Sequence, residues 1–447
     1  MATETLARAT AMIAASRITA PLGRVTSLAG VTVWVDGLPP SVCLGDRATV
    51  FTKAGPVAAD VVRLDRGAVC LIADQADGIA AGDWVRCDPL PDFAPDSSWI
   101  GRVIDPDGLP LDGRPLLPGM AARPLRAPPP PAYARRALGA RVDTGLAVFN
   151  TLLPLARGQR IGLFAGSGVG KSTLLANLAK GVDADVIVIG LVGERGRELR
   201  AFVDEVLGPE GMARSVVVAA TSDRAPQVRR RCAWAATAVA EYFRDAGKHV
   251  LLLVDSVTRF AEAHRELSVT AGEPAALRGF PATTGPAIAT LCERAGPGVA
   301  ATGDITAIYT VLVAGSDMDE PVADMLRGVL DGHIVLDRAI AEGGRFPAID
   351  VLRSVSRSLP GVANAGENDL IGRARGLLAT YDKAALMVQA GLYVAGSDPR
   401  IDAAIAVQPA LEQFLALRDD RGCGSSFLAL RLALAADRSG AKGPGKA

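Results

Sequence analysis

The segment Ala165-Gly166-Ser167-Gly168-Val169-Gly170-Lys171-Ser172-Thr173 has the residue types and spacing of a loop that holds a nucleoside triphosphate. Gly166, Gly168 and Gly170 let backbone N–H groups turn inward around phosphate oxygens, with Ser167, Val169 and Thr173 completing the cradle. Lys171 has the reach for the β and γ phosphates, and the Ser172 hydroxyl sits where it can ligate Mg²⁺ at a helix N-terminus. An apolar run, Ile161 to Phe164, precedes the loop and a helical run, Leu174 to Ala179, follows it. The sequence therefore predicts ATP and Mg²⁺ as ligands. Ala165 stands where glycine is commoner, a variant the loop tolerates.

A loop of this kind names a ligand, and hydrolysis needs further groups. The buried run His249 to Val254 ends in Asp255-Ser256, and an aspartate there holds Mg²⁺ through water beside Ser172. A second buried run, Val186 to Val192, leads into Gly193-Glu194-Arg195-Gly196-Arg197-Glu198. Parallel strands open their C-terminal ends on the ligand crevice, so Glu194 should emerge near the γ-phosphate. A carboxylate there can orient and polarise the attacking water, with Arg195 offsetting phosphate charge. Arg357, far along the chain, reads on its own as a surface cation.

The elements that must position these groups follow from the periodicity. Residues 20–90 carry short β-rich pieces (23–28, 31–35, 48–51, 57–64, 69–72, 83–86) broken by Gly, Pro and Asp, the pattern of a small barrel. Prolines crowd residues 89–136, including Pro128 to Pro131, which predicts a wrapping connector. Runs at 160–164, 186–192, 215–219, 249–254 and 305–313 alternate with helical stretches, the pattern of a mostly parallel sheet covered on both faces. Helices are expected over 369–389, 399–417 and 427–434. The predicted division is a helical arm at 1–19, a barrel at 20–90, an ATPase domain at 91–365 with its Pro-rich connector at 121–137, a helical domain at 366–435 and a disordered tail at 436–447.

Composition narrows the function classes. The chain has 447 residues, 49% of them apolar, with Lys plus Arg and Asp plus Glu at 48 each. A formal net charge of zero offers no global field for nucleic acid or anionic lipid, so no specific nucleic-acid partner is expected. Six cysteines without a Cys-x-x-Cys pair and three unclustered histidines predict reduced thiols and no zinc site. Glu4, Arg8 and Arg17 interrupt the N-terminal apolar stretch, and no run approaches a membrane span, which predicts a cytoplasmic protein.

Taken together the motifs resemble those of the rotary and secretion ATPases. The matching segments are the loop at 164–172, 193–198, Leu253-Val254-Asp255-Ser256-Val257-Thr258-Arg259-Phe260 and Phe346-Pro347-Ala348-Ile349-Asp350, in family order over roughly residues 20–430. Within the family the chain is most similar to the flagellar type III protein-export ATPases, through Asp317-Met318-Asp319-Glu320-Pro321, Asp331-Gly332-His333-Ile334-Val335-Leu336 and Ala395-Gly396-Ser397-Asp398-Pro399. The resemblance implies an N-terminal β-barrel, a RecA-like α/β P-loop domain and a C-terminal helical domain, arranged in a homohexamer with ATP sites between subunits. It makes Glu194 the catalytic carboxylate, Arg195 a γ-phosphate contact and Arg357 an arginine donated to the neighbouring site. Phe346, often tyrosine in relatives, takes the adenine-stacking position, and Tyr393 is a candidate for the opposite wall. It further implies export substrates and chaperones, a stator-like regulator, a central stalk-like protein and a membrane export gate as partners, with peripheral placement at the inner membrane's cytoplasmic face through them.

Two departures matter. Gly279-Phe280-Pro281-Ala282-Thr283-Thr284-Gly285-Pro286 differs from the bulkier sequence that relatives turn to the pore side. The helical domain lacks the Asp-Glu-Leu-type acidic run of rotary catalytic subunits, which favours export over synthesis. Alternatives that remain open are a virulence-type secretion ATPase, a rotary synthase subunit, a non-catalytic ring subunit and a nucleic-acid translocase related to transcription terminators.

Overall fold

The computed structural model describes Thr10 and residues 20–65, 67–88, 93–313 and 320–439. The predicted arm apart from Thr10, residues 317–319 of the export-type motif, and the tail from 440 onward lie outside the described residues.

Six strands, β1 (Leu22–Ala29), β2 (Thr32–Asp36), β3 (Arg47–Thr52), β4 (Gly55–Asp65), β5 (Ala68–Ala73) and β6 (Trp84–Asp88), close into an antiparallel barrel in the order β1–β2–β5–β4–β3–β6. Alternation fills it: Val33, Val35, Val50, Val61, Leu71 and Val85 point inward, while Trp84 stays outside under the Arg24 guanidinium at 3.9 Å.

The central sheet has eight strands: β7 (Arg102–Ile104), β8 (Arg160–Ala165), β9 (Val186–Glu194), β10 (Ser215–Thr221), β11 (His249–Asp255), β12 (Asp304–Leu312), β13 (Gly332–Leu336) and β14 (Ile349–Ser356). Their order is β14–β13–β8–β12–β11–β9–β10–β7, parallel except for the β13–β14 hairpin. The apolar runs lack polar alternation because both faces are covered. Leu251 and Leu253 of β11 face one core with α1 (Lys171–Gly181), and Val250, Leu252 and Val254 face the other with α2 (Pro226–Asp245). Further helices are α3 (Val257–Thr270), α4 (Thr284–Glu293) and α5 (Pro321–Val329). Among the described residues no helix is long and apolar enough to cross a membrane.

The proline-rich stretch does more than wrap. It inserts Phe93, Trp99 and Leu125 into the α2-side core, and its β7 adds an edge strand beside β10. Three helices, α6 (Ala365–Gln389), α7 (Pro399–Leu415) and α8 (Cys423–Ser439), close the chain and pack on the α1 side. α6 begins four residues before the periodicity does, because Asn364 and Glu367 form a capping box, each side chain accepting from the other's N–H at 2.9 and 3.0 Å. α8 also starts early, at Cys423, whose N–H donates to Asp143 at 2.7 Å.

A buried ion pair holds α2 to α4's end. Arg294 donates through Nε and Nη2 to both Glu241 oxygens at 2.9 and 2.6 Å and through Nη1 to the Leu125 carbonyl at 2.5 Å. Both side chains are nearly inaccessible, at 1% and 7%. Glu241→Ala strands a buried guanidinium, and the catalytic domain should lose about 3 kcal/mol. The measurement is the urea midpoint followed by tryptophan fluorescence, and Glu241→Ala combined with Arg294→Met should regain most of the loss.

Candidate active site

β8 delivers the chain to the sheet's C-terminal edge, and Val169, buried in the α1-side core, anchors the loop that follows. Gly168 and Gly170 have φ of 78° and 83°, the left-handed region that L side chains rarely adopt. An added Cβ meets nothing at Gly168 but the Phe346 ring at 3.2 Å at Gly170. The first N–H groups of α1 have no side-chain cap, so they are free to face an anion. The cleft above them has a volume of about 970 Å³ and includes Ser172, Thr173, Glu194 and Arg195 in its lining.

Lys171 sits between two carboxylates. Its Nζ is hydrogen-bonded to Asp255 Oδ1 and stands 3.8 Å from Glu194 Oε1. Thr310 of β12 also donates to Asp255 Oδ1, at 2.6 Å. Burial, then the Asp255 charge, push the Glu194 carboxyl up to about 7, with Lys171 pulling the other way. Glu194 is turned into the cleft by a register shift where β9 leaves β10, and Ser222 N–H fixes its carbonyl at 2.9 Å. The Arg195 side chain is exposed and makes a 3.4 Å contact with Glu198.

The donor set fits the expected ligands. Ser172 opens α1 in the lining of the cleft, and the Asp255 carboxylate ends β11 against the neighbouring Lys171, so both offer hard oxygen atoms beside the loop. That is the pattern for Mg²⁺, which keeps several waters and is completed by phosphate oxygens.

Phe346 stands half exposed beside Gly170, on the turn between β13 and β14. Arg345 ties that turn to α7 through Glu412 at 2.8 Å. Tyr393 is engaged elsewhere: its hydroxyl donates toward Asp402 Oδ1 at 2.9 Å and the Asp398 carbonyl at 3.0 Å. No contact joins it to Phe346 or the loop among the described residues. Arg357 lies at the opposite edge of the sheet. Leu336 pairs with both Ala165 and Ile349 at the loop end of the hairpin, whereas Gly332 pairs with Ser356 at the far end. The Arg357 N–H donates to the Asp331 carbonyl at 3.0 Å.

Thr310 and Arg259 belong to the site but carried no expectation. Arg259 packs its stem 3.5 Å from the Cβ position of Gly193, pairs with Glu262 at 2.8 Å and lines the cleft. The available signal for Thr310 is its place inside a buried central strand, where a hydroxyl needs a partner. Thr310→Val keeps the shape and removes the donor. Mn²⁺ binding in the presence of ADP, followed by electron paramagnetic resonance, should weaken roughly tenfold or more, and Thr310→Ser should restore it.

Residues 145–356 match the ATP synthase alpha/beta family, nucleotide-binding domain, and residues 363–427 match the T3SS EscN ATPase C-terminal domain. A flagellum-specific ATP synthase of Caulobacter vibrioides is 45% identical, covering 88% of this chain and 90% of the relative. A type 3 secretion system ATPase of Xanthomonas euvesicatoria is 41% identical, covering 93% and 94%. The assembled ATPase EscN from the enteropathogenic E. coli type III secretion system superposes with a TM-score of 0.85 at 35% identity, covering 92% of this chain and 100% of EscN. Its complex with the central stalk EscO superposes at 0.83 and 36% identity, over the same shares of both chains. Likeness that spans barrel, catalytic sheet and C-terminal helices alike places the whole chain: it belongs to the ATP synthase alpha/beta family, as an ATP-hydrolysing member of the branch that flagellum-specific ATP synthases share with type III secretion ATPases.

Proposed function

We propose that the chain is the ring ATPase of a flagellar type III export apparatus, with Mg·ATP as its substrate and its sites shared between neighbouring subunits of a homohexamer. The observation that carries the hydrolytic reading is the meeting of Lys171, Asp255 and Glu194 in one cleft. Lys171 exchanges Asp255 for phosphate oxygens when nucleotide binds, and Asp255, still held by Thr310, would with Ser172 hold Mg²⁺. The ion would supply charge neutralisation on the phosphate oxygens. Glu194 orients and polarises the attacking water, Arg195 swings onto the phosphate, and Phe346 offers a ring face to the base. A non-catalytic ring subunit has no use for a carboxylate at 194.

The stalk complex of EscN supports a stalk-like partner for this ring, and relatives named for the flagellum support the flagellar setting over the virulence one. A strain lacking the chain should lose flagellar filaments and swimming and regain both from a plasmid copy. Intact filaments with loss of injectisome secretion would instead assign the chain to the virulence apparatus. Purified protein should hydrolyse ATP unaided, with specific activity rising as concentration drives assembly.

A further inference from the structure

A second cleft, of about 720 Å³, lies where the barrel meets the catalytic domain. Its walls include Leu44 of the barrel, Arg126 of the connector, Arg230 and Trp234 of α2, and His264 of α3, and it shares no lining residue with the nucleotide cleft.

Two guanidiniums flank the Trp234 indole, Arg230 at 4.9 Å and Arg126 at 5.3 Å from the ring centre. Neither is within ion-pair distance of a carboxylate among the described residues, although most buried arginines here are: Arg231 holds Asp60 and Arg294 holds Glu241. The Arg230 Nε is buried without a hydrogen-bond partner. Its Nη1 donates to His264 Nδ1 at 3.3 Å, which leaves His264 Nε2 to donate to Thr283 Oγ1 at 2.9 Å, and Thr283 in turn donates to Glu273 at 2.7 Å. That relay fixes His264 as the neutral tautomer and spends the Glu273 carboxylate on Thr283. Burial and the Arg230 charge push His264 down to about 4, so it adds no cation at neutral pH.

A buried cation with an unfilled donor is costly unless an anion completes it. The cation–π contact offsets part of that cost and leaves the donor unfilled. Arg126 is exposed, so its fork can turn from the ring onto a ligand, and two forks suit an anion with several oxygens around one centre. We propose that this cleft binds a small phosphorylated anion, gripped by Arg126 and Arg230 against the Trp234 ring and separate from the hydrolysed nucleotide.

The test is calorimetric titration of the full chain with pyrophosphate. Lys171→Ala should remove binding at the nucleotide loop and leave one further site. Adding Arg126→Gln, or Arg230→Gln, to that chain should weaken the remaining site at least tenfold, with the melting temperature reporting that each variant is folded. Pyrophosphate should also change the tryptophan fluorescence of the Lys171→Ala chain, and adding Trp234→Phe should abolish that change while retaining binding. The proposal fails if the Lys171→Ala chain binds no pyrophosphate, or if both arginine variants bind it as their parent does. Equal affinity for glutarate would overturn the phosphoryl assignment.

Discussion

Glu194→Gln should lower the rate of ATP hydrolysis by ~10²- to 10⁴-fold while leaving nucleotide affinity close to that of the parent. The substitution keeps the shape and removes, of the two carboxylates beside Lys171, the one not hydrogen-bonded to it, so the loss should appear in kcat and leave KM little changed. The pH profile carries the same information. With Glu194 pushed up to about 7 by burial and by Asp255, the free enzyme loses its water-orienting carboxylate as pH falls through that value, and kcat/KM should show an acid limb there that the variant lacks. Stability moves in the opposite sense. Between the ordinary value of 4.5 and about 7 the folded chain holds a proton that the unfolded chain has released, so stability falls as pH rises through this window. Nucleotide-free Glu194→Gln should therefore melt above its parent at pH 8, with the gap closing toward pH 4.5. A variant that hydrolyses ATP at the parental rate removes Glu194 from the chemistry.

Both tests depend on the same conflict. Glu194 and Asp255 crowd one ammonium, and the carboxylate with the better hydrogen bonds wins it: Asp255 has Thr310 and Lys171, while Glu194 stands 3.8 Å from Lys171 and meets the like-charged Glu198. On the proposed function, departure of Lys171 toward phosphate would leave two carboxylates to be satisfied, Asp255 with Ser172 holding the metal and Glu194 facing the attacking water. The nucleotide-free site is thus held in the geometry its substrate needs, with lysine standing in for the cation.

How much of this was legible from the sequence follows from distance along the chain. The phosphate loop and the Glu194 and Asp255 segments are contiguous motifs at the ends of apolar runs, so local pattern sufficed to place them on strand ends. Thr310 meets Asp255 across 55 residues, and only the pairing of β11 with β12 brings the two together. Phe346 reaches Gly170 because β13 lies beside β8, a neighbourhood that no local signal encodes. β7 is three residues long inside a Pro- and Asp-rich connector, and β14 alternates buried with partly exposed positions at a sheet edge, so neither shows the continuous apolar run that marks the central strands. Tyr393 precedes the matching run at 395–399, and what local pattern did not show is that its hydroxyl is tied to the start of α7.

The hairpin that carries Phe346 also decides what Arg357 can do. β14 runs eight residues away from the nucleotide loop, about 26 Å at ordinary strand rise, and Arg357 follows its last residue. An arginine side chain cannot bridge that span back to its own Lys171. The same chain segment therefore puts an aromatic ring beside its own phosphate loop and a guanidinium at the far end of β14, where the proposed ring would bring a neighbour's cleft. Arg357→Ala should reduce hydrolysis ~10³-fold, with binding to the subunit's own loop retained. The decisive measurement mixes that variant with Lys171→Ala, each inactive alone. In mixed rings, an intact loop on an Arg357→Ala subunit can face the intact arginine of a Lys171→Ala subunit, so part of the activity should return. Recovery on mixing means that the arginine acts across the subunit boundary. Two inactive proteins that stay inactive after verified co-assembly, or an Arg357→Ala chain that needs no rescue, would leave Arg357 as an ordinary surface cation.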